Sequence, residues 1–96
     1  MLAWKTMALP DEFIAQLERA LEIQEQKSMA YCFIALDPED CYYNMRWTMN
    51  QAASTAFKEY FGKIYGQEEF NDIISIIDER INRFLDKFPR FRVGGV

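Results

Sequence analysis

The clearest pattern of hydrophobic positions lies in the last third of the chain. Apolar residues there alternate spacings of four and three, as one face of an α-helix requires: Phe70, Ile74, Ile77, Ile81, Phe84 and Phe88, with Ile73 and Leu85 widening this face. Glu68 and Glu69 suit the positive end of a helix dipole, and Pro89 cannot continue a helix. The pattern predicts a helix from about residue 68 to residue 88.

Two further helices are predicted by similar but weaker patterns. The first begins near Pro10, which favours a first helical position, and its apolar residues recur at helical spacing: Phe13, Ile14, Leu17 and Leu21. Its amphipathic pattern ends at about residues 26–28. The second, from about residue 49 to residue 65, follows Thr48. The spacing of Thr48 and Gln51 matches a capping box, with Thr48 as the N-cap.

Between these helices, residues 31–48 carry a pattern that is typical of strands. From Cys41 to Thr48 the side chains alternate between two sets, which is the period of a strand. One set, Cys41, Tyr43, Met45 and Trp47, is apolar enough to pack on the helices. Residues 29–36 are apolar throughout, as expected of a strand that is covered on both faces. Asp37 and Pro38 suit the first two positions of a type I turn. We therefore predict a β-hairpin, and a small α+β fold in the order α-β-β-α-α.

The same segment also supports a second interpretation. Asp37 is a suitable N-cap and Pro38 a suitable first helical residue. A helix from this point would place several apolar side chains on one face: Cys41, Met45, Met49, Ala52 and Ala56. The alternative fold is then an all-α three-helix bundle. Whether residues 38–48 are strand or helix stays open at this stage.

Composition indicates one folded domain without a membrane span. The chain has 96 residues, of which 50% are hydrophobic and 16% aromatic, so residues 1–96 are expected to share one core. Residues 1–9 and 90–96 are expected to be loose termini. No apolar run approaches the 18 residues or so that would span a membrane, and no secretory signal is visible. We therefore predict a cytoplasmic location.

The two cysteines are predicted to be reduced. In the hairpin register Cys32 lies opposite Met45, two rungs away from Cys41, which is too far for a disulfide. Both residues are then small buried hydrophobes, which fits a reducing compartment.

Candidate catalytic chemistry is sparse. The chain contains no histidine, which removes Ser-His and Cys-His nucleophile pairs and histidine metal sites. The acidic residues near the predicted turn do not have the spacing of a calcium loop, and all four glycines lie at or after Gly62, so a Gly-rich phosphate loop is absent. We predict a protein that is not an enzyme, with no catalytic residues, no cofactor and no metal.

Charge is unevenly distributed along the chain. Residues 1–79 hold 6 basic and 14 acidic side chains, whereas residues 80–96 hold 5 basic and 1 acidic, and the total formal charge is −4. The acidic part argues against extensive nucleic-acid binding, so nucleic acid is not expected as a main partner. The basic end nevertheless supports an alternative function, a nucleic-acid-associated regulator that acts through this segment.

The remaining signal points to protein contacts. One face of the predicted hairpin carries Tyr31, Phe33, Tyr42 and Arg46, residue types that are frequent in interface hot spots. A two-stranded sheet also has open edges that a second copy can pair with. We therefore predict a non-enzymatic interaction module, such as a small adaptor, regulator or subunit, that forms a homodimer. These four residues are predicted to be its contact surface for a second subunit or another protein.

Overall fold

The protein is an all-α three-helix bundle. The computed structural model describes residues 9–34 and 37–92, and helices make up 88% of this part of the chain. They are α1 (Asp11–Ile34), α2 (Pro38–Phe61) and α3 (Gln67–Lys87), followed by a short 3₁₀ helix (Pro89–Phe91). Residues 9–34 and 37–92 contain no strand. The predicted α+β fold is therefore wrong, and the alternative three-helix bundle is the observed architecture.

Helices α1 and α2 form an antiparallel hairpin in close backbone contact. Near one end the Tyr60 hydroxyl donates a hydrogen bond of 2.8 Å to Glu12, and towards the other end the hydroxyls of Ser28 and Thr48 are 3.1 Å apart. Helix α3 packs on one side of this hairpin, antiparallel to α2. One face of the hairpin therefore packs against α3, and the opposite face is left for other contacts.

The predicted turn is the start of α2. The carboxylate of Asp37 accepts a hydrogen bond of 2.9 Å from the backbone N–H of Glu39, and Pro38 is the first helical residue. An Asp-Pro pair suits a type I turn and a helix N-terminus equally well, because both require the same φ at the proline. Local sequence was therefore unable to decide between them, and the helical interpretation is correct.

Burial explains why residues 41–48 are helical despite their β propensity. Every fourth residue of α2 lies in the core: Cys41, Met45, Met49, Ala53 and Phe57. A strand would place Tyr43 and Trp47 on the same face as Cys41 and Met45, but both are exposed, so burial follows the period of a helix. The predicted capping box at Thr48 is also wrong. Its hydroxyl donates to the carbonyl of Met45 at 3.1 Å, one turn earlier in a continuous helix.

The apolar run after residue 28 continues α1 instead of forming a strand. Only Cys32 of this run is buried, whereas Met29 is half-buried and Tyr31, Phe33 and Ile34 are exposed. Residues 35 and 36, which were expected to end the first strand, lie outside the described residues.

The interpretation of the cysteines is also wrong. Cys32, in the last turn of α1, and Cys41, in the first turn of α2, are joined by a disulfide with their Cα atoms 4.7 Å apart. The expectation that the two cysteines lie too far apart for a disulfide followed from the hairpin register. In the helical hairpin the two residues face each other where α1 and α2 meet, within normal disulfide range. Because the two cysteines are bonded to each other, they no longer support the predicted cytoplasmic location.

The predicted third helix is confirmed as α3, with a shifted core face. Ile77, Ile81 and Phe84 are buried as expected, and so are Ile73 and Leu85 beside them. Ile76 is buried in addition, whereas Ile74 and Phe88 are half-buried and Phe70 is exposed. Gly62 ends α2 at φ 71°, a left-handed conformation that glycine adopts without strain.

The ends of the described chain are packed on the bundle. Leu9, before α1, and Phe91, in the 3₁₀ helix, are both buried in the main hydrophobic cluster. Residues 9 and 90–92 belong to segments that were expected to be loose. They are instead ordered parts of the fold, next to or within the core. The other residues of the two predicted loose termini, 1–8 and 93–96, lie outside the described residues.

Candidate functional site

Two of the four predicted contact residues connect α2 to α3. Arg46 donates from Nη2 to Asp78 at 2.5 Å and from Nε to the Tyr42 hydroxyl at 3.0 Å. Burial alone would lower the pKa of Arg46, but the hydrogen bonds to Asp78 and Tyr42 outweigh it and the net shift is upward. The guanidinium is therefore charged at any physiological pH. Within one chain, Tyr42 and Arg46 thus have partners on the bundle itself.

The other two predicted residues lie near the end of α1. Phe33 makes edge contacts with the rings of Phe88 and Phe91, with centroids 5.4 and 5.6 Å apart, and the Arg90 guanidinium lies 5.0 Å from its centroid. Tyr31 is exposed. The hairpin was expected to place all four residues on one face. Instead, Phe33 belongs to an aromatic cluster with the 3₁₀ helix, and Tyr42 and Arg46 belong to a polar link with α3.

Three of the five basic residues at the C-terminal end make contacts with other side chains of the same molecule. Arg80 binds three glutamates of α1, Arg92 pairs with Asp86 at 2.6 Å, and Arg90 stacks on Phe33 and Phe91. Of the five basic residues in this segment, Arg83 and Lys87 are exposed on α3 and line a cleft towards α1. These contacts favour the C-terminal segment as part of the bundle rather than as a cationic arm.

Arg80 is the main polar connection between α1 and α3. Its side chain is 11% exposed and reaches Glu18 at 2.9 Å, Glu25 at 2.8 Å and Glu22 at 3.1 Å. Burial would lower the pKa of Arg80, but the three carboxylates raise it well above its ordinary value. Its Nε is buried without a hydrogen-bond partner within residues 9–34 and 37–92. The three acids of α1 are thereby turned towards α3 and neutralised in part.

The opposite face of the helical hairpin carries an open groove, which we call the α1–α2 groove. The three alanines that line it are half-buried and form its floor, whereas Ile23, Trp47, Gln51 and Glu59 are exposed along it, and its volume is about 410 Å³. The lining residues on α1 are Ala20, Ile23 and Gln24; those on α2 are Trp47, Thr48, Gln51, Ala52, Thr55, Ala56 and Glu59.

Two large apolar side chains stand exposed at this groove, one from each helix. Trp47 is 63% exposed and Ile23 is 53% exposed. Trp47 would be expected to bury much of its large apolar surface in a folded protein, because aromatic side chains contribute strongly to cores and interfaces. Neither residue was among the predicted contact residues. The hairpin interpretation had assigned Trp47 to the face that packs on the helices.

A signal for Trp47 was nevertheless present in the sequence. The alternative helical stripe that begins at Cys41 includes Met45 and Met49, and it leaves position 47 off the buried face. A tryptophan on the outer side of an amphipathic helix is a candidate contact residue. Ile23 carries less information, since single exposed aliphatic residues are common.

The described residues give no indication of a metal or membrane site. Within residues 9–34 and 37–92, no group of three or more cysteine, aspartate or glutamate side chains is arranged to hold a metal ion. In the same part of the chain, no helix is both long enough and apolar enough to cross a bilayer. The two cysteines are bonded to each other.

The fold and the groove together define a small helical-bundle protein with an exposed apolar surface. No family model, curated protein or solved structure matches this chain. Its function therefore has to be argued from its own surface.

Proposed function

We propose that this protein is a non-enzymatic interaction module that binds another protein chain through the α1–α2 groove. The observation that carries this proposal is the exposure of Trp47 and Ile23 on opposite sides of a groove with a small-residue floor. Burying a large apolar side chain contributes about 1.5–3 kcal/mol. An amphipathic helix laid along the groove would cover both residues, which is a common mode of peptide and protein recognition.

The chemistry of the chain supports binding rather than catalysis. The groove is lined by alanine, threonine and glutamine side chains with a single ionised group, Glu59. Such a lining offers shape and apolar area but no histidine, and the chain contains none. It also lacks a paired base and nucleophile of the kind that acyl or phosphoryl transfer uses.

The four residues predicted from sequence have a lesser part in this proposal. Tyr31 and Phe33 are exposed enough to contribute to a second contact area near the end of α1. Tyr42 and Arg46 would have to leave their contacts with each other and Asp78 before they could bind a partner. The groove requires no such rearrangement, so we place the main contact there.

The proposal is tested by capture with matched variants. Immobilised wild-type protein, Ile23→Ser and Ile64→Ser are incubated with an extract of the source cells, and the bound chains are quantified by mass spectrometry. Ile64 is a suitable control because it is 78% exposed but lies after α2, outside the groove. We expect Ile23→Ser to lose at least one partner, or further copies of this chain, that wild type and Ile64→Ser both retain. Equal retention by all three proteins would contradict the proposal.

A further inference from the structure

Helix α2 contributes both a projecting tryptophan and two small alanines to the α1–α2 groove, so the groove offers an apolar side chain and an apolar recess. Trp47 lies at one end of the groove, and Ala52 and Ala56 line it about one and a half and two and a half turns further along α2. The step of nine positions from Trp47 to Ala56 is a rise of about 13 Å. A second hairpin laid on this one with its α2 antiparallel would bring each tryptophan to the level of the alanines that line the groove of the other copy.

A two-fold axis provides this arrangement naturally. In a symmetric dimer the same patch is used by both subunits, so the patch must complement itself. An axis that runs between the two α2 helices, at the level midway between Trp47 and Ala56, passes close to Gln51, which is exposed. Each copy then contributes one tryptophan and receives one. An unrelated partner would have to supply its own side chain for the recess and a separate recess for Trp47.

Charge also favours a second copy at this face. The whole chain carries a formal charge of −4, and like charges oppose association of two identical molecules. The acids Glu18, Glu22 and Glu25 are turned towards Arg80 on the other side of α1. The groove itself is lined by one charged residue, Glu59, at its end. Two copies meeting here would therefore bury few like charges.

The outer face of the helical hairpin is large enough for a dimer interface. The molecule is 38 Å long, and two packed helices present a face about 20 Å wide. The outer face of the hairpin thus measures about 760 Å² in plane. A specific, stable interface buries about 800 Å² on each partner. Close packing of the two hairpins would come near this value, because side chains add surface to the flat outline.

We infer that the partner of the α1–α2 groove is a second copy of this chain. The two hairpins pack face to face as a four-helix core, α2 against α2 in antiparallel order, and the Trp47 side chain of each copy reaches the α1–α2 groove of the other copy at the level of Ala56. This inference rests on the proposed function and names its partner. It also moves the predicted homodimer from strand edges, which are absent from the described part of the chain, to helical faces.

The first test is the mass of the purified protein in solution. Sedimentation equilibrium is measured for wild type, Trp47→Ser, Ile23→Ser and the control Ile64→Ser, with helix content checked by circular dichroism. We expect a reversible dimer for wild type and Ile64→Ser. The dimer dissociation constant should rise at least tenfold in Trp47→Ser, since central tryptophans are frequent interface hot spots. A wild-type protein that is monomeric at high micromolar concentration, or a Trp47→Ser dimer as tight as wild type, would overturn the inference.

The second test checks the geometry without disturbing the apolar contact. Gln51→Cys places a thiol near the expected two-fold axis, and Ser75→Cys places one on an exposed position of α3. The native cysteines are bonded to each other and do not compete. Under mild oxidation we expect Gln51→Cys to form a covalent dimer far faster than Ser75→Cys. Equal rates for the two variants would contradict an interface at the groove.

The two proposals can fail separately. If wild type is monomeric but the capture experiment still depends on Ile23, the groove binds a different protein and the second copy is excluded. If neither self-association nor capture depends on the groove residues, the proposed function fails as well.

Discussion

Cys32 and Cys41 join the last turn of α1 to the first turn of α2 through a disulfide that spans a sequence separation of 9 residues. Both side chains are buried. The bond holds together the end of the hairpin at which the chain reverses direction, beside the segment whose secondary structure the sequence left open. It therefore constrains both helices at their junction.

Loss of this disulfide is expected to lower stability moderately. For a closed loop of this size the chain-entropy model gives about 2.5 kcal/mol, and for a domain of about 100 residues that corresponds to a fall in Tm of roughly 10–20 °C. The measurement is thermal unfolding of wild type with and without a reductant, beside the Cys32→Ala/Cys41→Ala double variant. The reductant should destabilise wild type and leave the double variant unchanged. A wild type that is indifferent to reductant would show that the thiols are not paired in solution.

The N-cap at Asp37 provides a test of the helical start. Asp37→Ala should reduce the free energy of unfolding by about 1 kcal/mol, because the N–H of Glu39 loses its acceptor. Asp37→Asn should be close to wild type, since asparagine caps helices as well as aspartate does. Chemical denaturation of the three proteins measures the difference. Equal losses for alanine and asparagine would contradict the capping role.

Arg80 should matter more than its exposed neighbour on the same helix. Arg80→Met leaves three glutamates close together without their cation, and we expect a loss of about 2 kcal/mol, since the carboxylates are partly solvated. Arg83→Met is the matched control, because Arg83 is exposed on α3. Urea unfolding at low and high salt compares the variants. Added salt should narrow the gap between them by screening the repulsion among the glutamates.

The hydrogen bond between Tyr60 and Glu12 should be visible in alkaline titration. The hydroxyl donates to the carboxylate, and this hydrogen bond, with some burial, raises the pKa of Tyr60 above its ordinary value. A raised pKa in the folded state favours the neutral phenol. The stabilisation is thus fully present below the unfolded pKa and is lost as pH rises through the folded pKa.

Ultraviolet difference titration of wild type against Tyr60→Phe isolates this one tyrosine. We expect the missing transition to lie above the ordinary range of tyrosine, and to move down towards that range in a Glu12→Gln background, where the negative acceptor is gone. An unchanged midpoint in the Glu12→Gln background would show that Glu12 does not hold the proton on Tyr60.

Two elements were predictable from the sequence because their apolar spacing matches the helix face that is buried in the fold. Helix α3 was predicted within one residue of Gln67–Lys87, since its 3–4 spacing, acidic first turn and terminal proline all indicate one structure. The start of α1 followed from Pro10 and the apolar residues after it. In these segments local preference and tertiary packing point the same way, so no further information was needed.

The conformation of residues 29–48 depends on tertiary packing. Asp37 and Pro38 fit a turn and an N-cap equally, and the alternation after Cys41 fits a strand. What selects the helix is long-range burial: Met45 and Met49 are buried, whereas Tyr43, which a strand would place on the same face, is exposed. The same packing brings Cys32 within bonding distance of Cys41 and leaves Trp47 exposed. These outcomes depend on residues far apart in the sequence, because a helix face becomes a core face only when another helix covers it.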